Sequence, residues 1–215
     1  MPFTETQFLD VFARYNEAIW PLQVAAYALG LAIVVLLLRG RPHWVSLSLA
    51  PLWVFTGVSY FAAFFAQINP VARAFGALFV LQGVLLIHSG VGAKTPRTPR
   101  APHRTAGLAL IAYALVLYPL LGLLFGHVYP RAPVFGVTPC PLVIFTLGAL
   151  LIESRLPGRL FVIPLVWSAV GGSAAWLLGV REDLGLLAAG VIAIAALWSV
   201  RRNSHRGREI ARGWP

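Results

Sequence analysis

Charge is scarce in this chain. Only 11% of its 215 residues are Asp, Glu, Lys or Arg, where a soluble domain carries about 25%. So few charged groups cannot cover a globular surface. A single cysteine, Cys140, excludes an intrachain disulfide framework, and with one methionine it leaves little sulfur for a soft-metal site. The only lysine, Lys94, lies in a basic stretch between apolar runs, which excludes a retinal Schiff base inside a helix bundle. No Asp, Glu, Lys or Arg falls near the centre of an apolar run, so carboxylate-coupled ion transport has little support. There is no HExxH, P-loop or paired-acid arrangement. Gly171-Gly172-Ser173-Ala174 resembles an intramembrane serine nucleophile, but the following apolar run supplies no histidine base. The chain reads as non-enzymatic and calls for no cofactor.

What is abundant is apolar: 59% of residues are hydrophobic, and mean hydropathy is +0.78. A transmembrane helix needs about 20 mostly apolar residues. Six runs qualify: Trp20–Leu38, Val45–Phe65, Val71–Val91, Gly107–Phe125, Leu160–Leu178 and Leu184–Val200. A seventh, Pro139–Ile152, is short and reaches spanning length only by recruiting residues from Pro133 onward. Basic residues collect on the cytoplasmic side of membrane proteins. With seven spans, one side holds only Arg14, Arg73, Arg131 and Arg181 of the 17 basic residues, and the other holds the rest. Removing the short span destroys that asymmetry. The expectation is an all-α, polytopic bundle of seven transmembrane helices in a single membrane domain. Its N-terminus lies outside and its C-terminus inside, with residues 20–200 forming the bundle.

Residues 6–19 have an amphipathic period. Phe8, Val11, Phe12, Tyr15 and Ile19 lie on one stripe; Asp10, Arg14 and Glu17 lie on the other. Thr4 and Gln7 suit a capping box. These features predict an interfacial helix over 1–19, ending at Trp20-Pro21. It would act as a surface anchor or as a lid over an external vestibule. The stretch Gly92–Ala106 reads as an exposed basic loop. The tail 201–215 carries Arg201, Arg202, Arg206, Arg208 and Arg212, which suit anionic lipid at a cytoplasmic face. Nucleic acid is not an expected partner, because interleaved aromatics and a binding motif are missing.

Neutral polar residues inside the runs are the candidates for a solute path. Gln82 and Ser89 are seven apart and share a helical face, as do Thr146 and Glu153. Thr138 and Cys140 lie in the proline-rich start of the fifth run, PVFGVTPCPLVIF. A short, proline-interrupted span is a sequence pointer to a membrane binding site. Asn16 and Gln23 fall at the outer mouth. The alternative for each is an interhelical hydrogen bond. Cys140 with His127 could ligate a soft ion, and the Cys-Pro dipeptide faintly resembles that of metal-pumping ATPases. His43 and His88, both near the cytoplasmic side, could hold a haem axially. Ser168 with Gly172, and Gly171 with Ala175, are small residues four apart that favour close helix packing.

The run FLDVFARYNEAIWPLQ, with TPCPLVIFTLG further on, resembles an uncharacterised family of small bacterial multi-pass membrane proteins. The resemblance rests most on Tyr15, Asn16, Trp20, Pro21 and Gln23, and on Pro139, Cys140, Pro141, Phe145 and Thr146. Relatives tend to carry Thr where this chain has Leu142 and Val143, which makes the start of the fifth span less polar here. The resemblance implies a bacterial inner-membrane location and no assigned activity. The leading expectation is a channel or transporter for a small neutral or weakly charged solute. The alternatives are a non-catalytic subunit of a larger membrane complex and a haem-binding electron carrier; the expected partners are membrane lipids and either further copies of the chain, as a homo-oligomer, or a larger membrane complex.

Overall fold

The computed structural model describes residues 3–92, 101–153, 158–178 and 180–212. Among the described residues there is no strand. Helix α1 runs Glu5–Leu38, α2 Pro42–Gln67 and α3 Ala72–Gly92. Helix α4 comprises Ala101–Ala112, a π-helical stretch Tyr113–Leu117, and Tyr118–Leu124. Helix α5 is Pro139–Ile152, α6 Val162–Leu178 and α7 Leu184–Arg212. Five helices are long and apolar enough to cross a membrane, whereas Pro139–Ile152 and Gly158–Ala174 are shorter. Outward-facing side chains such as Val24, Leu31, Val84, Val116 and Val191 are large, apolar and exposed, as expected where lipid rather than water is the solvent.

The start of α1, the α2–α3 turn and the α4–α5 connection lie at one end of the bundle, here termed the head. There Arg14 bonds Gln67 and Asp10 pairs with Arg131 at 2.8 Å. At the other end, the base, His43 meets the Gly90 carbonyl and His103 meets Ser199.

The expected break between a surface helix and the first span does not occur. Helix α1 is continuous for 34 residues, about 51 Å at 1.5 Å each. Its buried stripe passes through Phe12, Tyr15, Ile19, Gln23, Ala26, Gly30 and Ile33 without a phase change. Pro21 and Glu17, whose carbonyl loses its helical donor at the proline, are both on the exposed side. The capping box is present: the Thr4 hydroxyl accepts from the Gln7 N–H, and Gln7 Oε1 accepts from the Thr4 N–H. The first turns of α1 bury Val11, Phe12 and Tyr15 against α2 instead of lying on a surface. The basic loop is also shorter than expected, because α4 begins at Ala101. Residues 93–100 lie outside the described residues.

Helix α5 is the centre of the molecule. Every residue from Pro139 to Ile152 is buried, the pattern of a helix apolar all round. Its 14 residues cover only about 21 Å. The two prolines do not kink it. Pro139 is its first residue and Pro141 its third. A helix start leaves four N–H groups without helical partners, and here two of those groups are missing altogether. A helix N-terminus can therefore be buried at reduced cost.

Residues 133–138 reach this start without helix. Phe135 drops against Gly30 of α1 and packs on Phe145, with ring centroids 4.9 Å apart. Gly136 has φ +78, and a Cβ there would sit 2.9 Å from that of Ala26. Helices α2 and α3 cross at Gly57 and Gly76, and α4 and α5 at Gly107 and Gly148. The small-residue patch of α6 packs as the spacing predicts: Gly171 and Gly172 meet Leu186 and Leu187 of α7.

A Cβ on Gly148 would lie 2.6 Å from the Gly107 carbonyl oxygen, while one on Gly92 would meet nothing within 4 Å. Gly148→Ala is therefore expected to destabilise the protein by about 1–3 kcal/mol. Gly92→Ala is expected to leave it unchanged. Thermal unfolding of the two variants in detergent provides the measurement.

Candidate functional site

Most of the polar residues that stand out in the sequence are consumed by packing. Asn16 donates from Nδ2 to the carbonyls of Pro130 (2.6 Å) and Ala132 (2.8 Å), and its Oδ1 accepts from Gln23 Nε2 at 2.9 Å. The Tyr15 hydroxyl donates to the Val137 carbonyl at 2.8 Å and lies 3.1 Å from Ser59 Oγ. Thr138 Oγ1 donates to the Val134 carbonyl. These side chains take four carbonyls of the non-helical segment ahead of α5, and Asn16 and Gln23 form a clamp on it.

The two expected polar stripes do not line a common cavity. Gln82 donates to the Leu160 carbonyl at 2.9 Å, and its Oε1 is buried without a partner. Ser89 is buried on the same face of α3. Thr146 accepts from Trp53 Nε1 at 2.9 Å and donates to the Leu142 carbonyl. Glu153 follows the last residue of α5, and burial pushes its carboxyl up to about 7. The haem pair also fails. His43 Nδ1 lies 2.6 Å from the Gly90 carbonyl, whereas His88 is exposed. Two residues apart on α3, positions 88 and 90 point to opposite sides. Of the arginines assigned to lipid, Arg202 lies over the Trp198 ring. The side chains of Arg201, Arg206, Arg208 and Arg212 lie outside the described residues, although α7 itself continues through Arg212.

Cys140 is the exception. It borders a head cavity of about 280 Å³ between the start of α1, the upper half of α2, and α6. The walls are aromatic. Phe61, Phe75 and Phe79 all pack on Trp167 at centroid distances of 5.0–5.4 Å, and Phe3 and Phe8 pack on Phe65 at 5.4 and 5.8 Å. Cys140, Asp183 and Trp167 supply polar groups at its buried side. The Cys140 thiol lies beside the Asp183 carboxylate and the Trp167 indole. Asp183 Oδ1 accepts from the Tyr118 hydroxyl. Trp167 Nε1 is buried with no hydrogen-bond partner.

Behind Asp183, Glu182 is fully buried. Its Oε1 lies 2.7 Å from His127 Nδ1, its backbone carbonyl accepts from the Tyr113 hydroxyl, and its Oε2 has no partner. Cys140 and His127 thus reach one cluster, with two carboxylates between them. Among the described residues, no three His, Cys, Asp or Glu side chains converge as a metal site. Both tyrosines come from the middle of α4, where the π-helical stretch Tyr113–Leu117 precedes Pro119. Tyr60 and Phe61 lie in the π-helical part of α2, Thr56–Phe64. Widened turns of this kind often occur at functional sites.

Glu182 and Asp183 read from sequence as part of an outer loop. The missed signal is their position: two of only seven acids stand together directly before an apolar run. A model for the family of unknown function DUF6064 matches residues 5–208. The chain belongs to that family. No curated protein and no solved structure matches it. DUF6064 membership agrees with the resemblance to an uncharacterised family and adds no activity.

Two outcomes separate packing residues from the cavity. Thr146→Val leaves the Trp53 indole without an acceptor and is expected to cost about 1–3 kcal/mol of stability. It should leave the rate of Cys140 modification by a thiol reagent unaltered. Glu153 holds its proton more tightly in the fold than at its ordinary value of 4.5, so the fold loses stability as pH rises from there through about 7. Glu153→Gln is therefore expected to raise the unfolding temperature at about pH 8 and leave it unchanged at about pH 4, read by detergent melting curves.

Proposed function

We propose that this protein is a transporter of the bacterial inner membrane that receives a small solute in its head cavity. The observation that carries this reading is the cavity: aromatic walls with a few convergent polar groups at the buried side, the usual composition of a small-molecule site. The carboxylates beside it add weight. Ionisable groups buried in a membrane bundle are costly, which makes them candidates for substrate sites and relays.

The chain crosses the bilayer seven times, with the head outside and the base in the cytoplasm. Helix α5 completes its crossing with the non-helical residues 133–138, where Tyr15 and Thr138 take the Val137 and Val134 carbonyls, and Asn16 holds Pro130 and Ala132 just ahead of them. Irregular backbone at membrane depth is tolerated only where protein or water saturates it. The four basic residues Arg14, Arg73, Arg131 and Arg181 belong to the head side, in keeping with an outside location. The arginines at the end of α7 then lie against anionic lipid. The solute path runs by Cys140, Asp183 and Trp167 instead of Gln82 and Thr146.

Cys140 is the sole thiol and reports directly on this arrangement. A membrane-impermeant methanethiosulfonate added to right-side-out vesicles is expected to modify it. Phe75→Trp, which adds bulk to the cavity wall, is expected to slow that reaction. Modification from the cytoplasmic side alone inverts the topology. No modification from either side removes the cavity as a solute site.

A further inference from the structure

The proposed function leaves the solute's chemistry open; the cavity and its surrounding charges narrow it. Resting on that reading of the cavity, we propose that its ligand is an organic monocation with an aromatic or branched apolar body, held by the Asp183 carboxylate.

Three observations converge. The first is the wall. Phe61 and Phe75 each pack edge-on to Trp167, and Phe3 and Phe8 flank Phe65. An aromatic ring carries negative potential on its face, and such a lining attracts a cation with a weakly hydrated, apolar surface. A compact metal ion or ammonium would lose too much hydration there.

The second is charge balance. Glu182 and Asp183 are both buried, and every element packed on them contributes neutral groups except one. Tyr113 and Tyr118 come from α4, Tyr60 from α2 and Cys140 from α5. Among the described residues His127 alone brings a base, and it lies on Glu182 at 2.7 Å. Arg131 pairs with Asp10, and Arg181, next to Glu182 in the chain, is exposed over the Phe125 ring, where water screens its charge. Two buried carboxylates face a single imidazole, so the cluster has more acidic than basic groups, and burial makes an uncompensated charge costly. A bound cation or a proton at Asp183 supplies the balance, so the two compete.

The third is Trp167, which lines the cavity and whose indole N–H is buried without a partner. It suits a hydrogen-bond acceptor on the ligand, such as an ether, ester or hydroxyl oxygen.

Benzoylcholine combines these elements: a quaternary ammonium, an ester and a phenyl ring. 3,3-Dimethylbutyl benzoate has the same shape without the charge. Calorimetry on the purified full-length protein in detergent at neutral pH is expected to show benzoylcholine binding at least about tenfold tighter than the neutral ester. Asp183→Asn is expected to remove that preference while keeping affinity for the ester, a loss typical of a cation deprived of its counter-ion. Equal affinity for both probes, or a preference for the ester, overturns the inference on wild-type protein alone, whether or not the variant folds. An unchanged preference in a folded Asp183→Asn variant also overturns it. If Cys140 is modified from outside yet benzoylcholine fails to bind, the cation inference falls and the cavity reading stands. If Cys140 cannot be modified either, both fall.

Discussion

The fold depends on saturating the backbone of one short non-helical segment. Residues 130–138 descend beside α1 without an internal helix to absorb their carbonyls. In an apolar surrounding each unsatisfied carbonyl costs several kcal/mol, roughly. Tyr15, Asn16 and Thr138 take four of them, at Val137, Pro130, Ala132 and Val134. Gln23 braces Asn16 from two turns further along α1. This arrangement fixes where α5 begins, and with it the position of Cys140. The continuous α1 follows from the same requirement. A surface helix ending at Trp20 could not hold Tyr15 and Asn16 at the depth of the descending chain.

Once α5 is seated, the rest of the bundle is arranged around it. A helix buried on every side must be enclosed by neighbours, and Gly107 and Gly148 let α4 approach to backbone contact. The cavity arises above this packed centre. There the start of α1 leans on α2 through aromatic rings and leaves space in front of α6. The acids at the start of α7 lie where α4 offers two tyrosines and the following turn offers His127. The packed middle and the chemically active head thus share one boundary, the proline-bracketed turn containing Cys140.

The apolar periods revealed the helices, because burial stripes depend only on spacing. Val11, Phe12, Tyr15 and Ile19 lie on the buried face that their pattern predicts. The short fifth run is legible for the same reason and appears as the buried helix Pro139–Ile152, while residues 133–138 ahead of it are not helical. The site was far less legible. Gln82 and Thr146 are polar and central, which in a sequence looks the same as lining a path; only three-dimensional neighbours show that Thr146 is taken by Trp53 and the Gln82 amide N–H by the Leu160 carbonyl. Glu182 and Asp183 follow a loop in sequence, and nothing local shows that α4 folds over them. The cavity walls join Phe3, Phe61, Phe75 and Trp167, which are too far apart in the chain for any motif to connect.

The bond from Tyr15 to Val137 spans 122 positions, and the one from Asn16 to Pro130 spans 114. During synthesis the first helix therefore emerges long before its partners exist. Until the ribosome has delivered the descending segment, the amide of Asn16 and the phenol of Tyr15 lack their final acceptors. The opening helix can settle only late in translation, which makes completion of the fifth segment the step that commits the nascent chain to its shape.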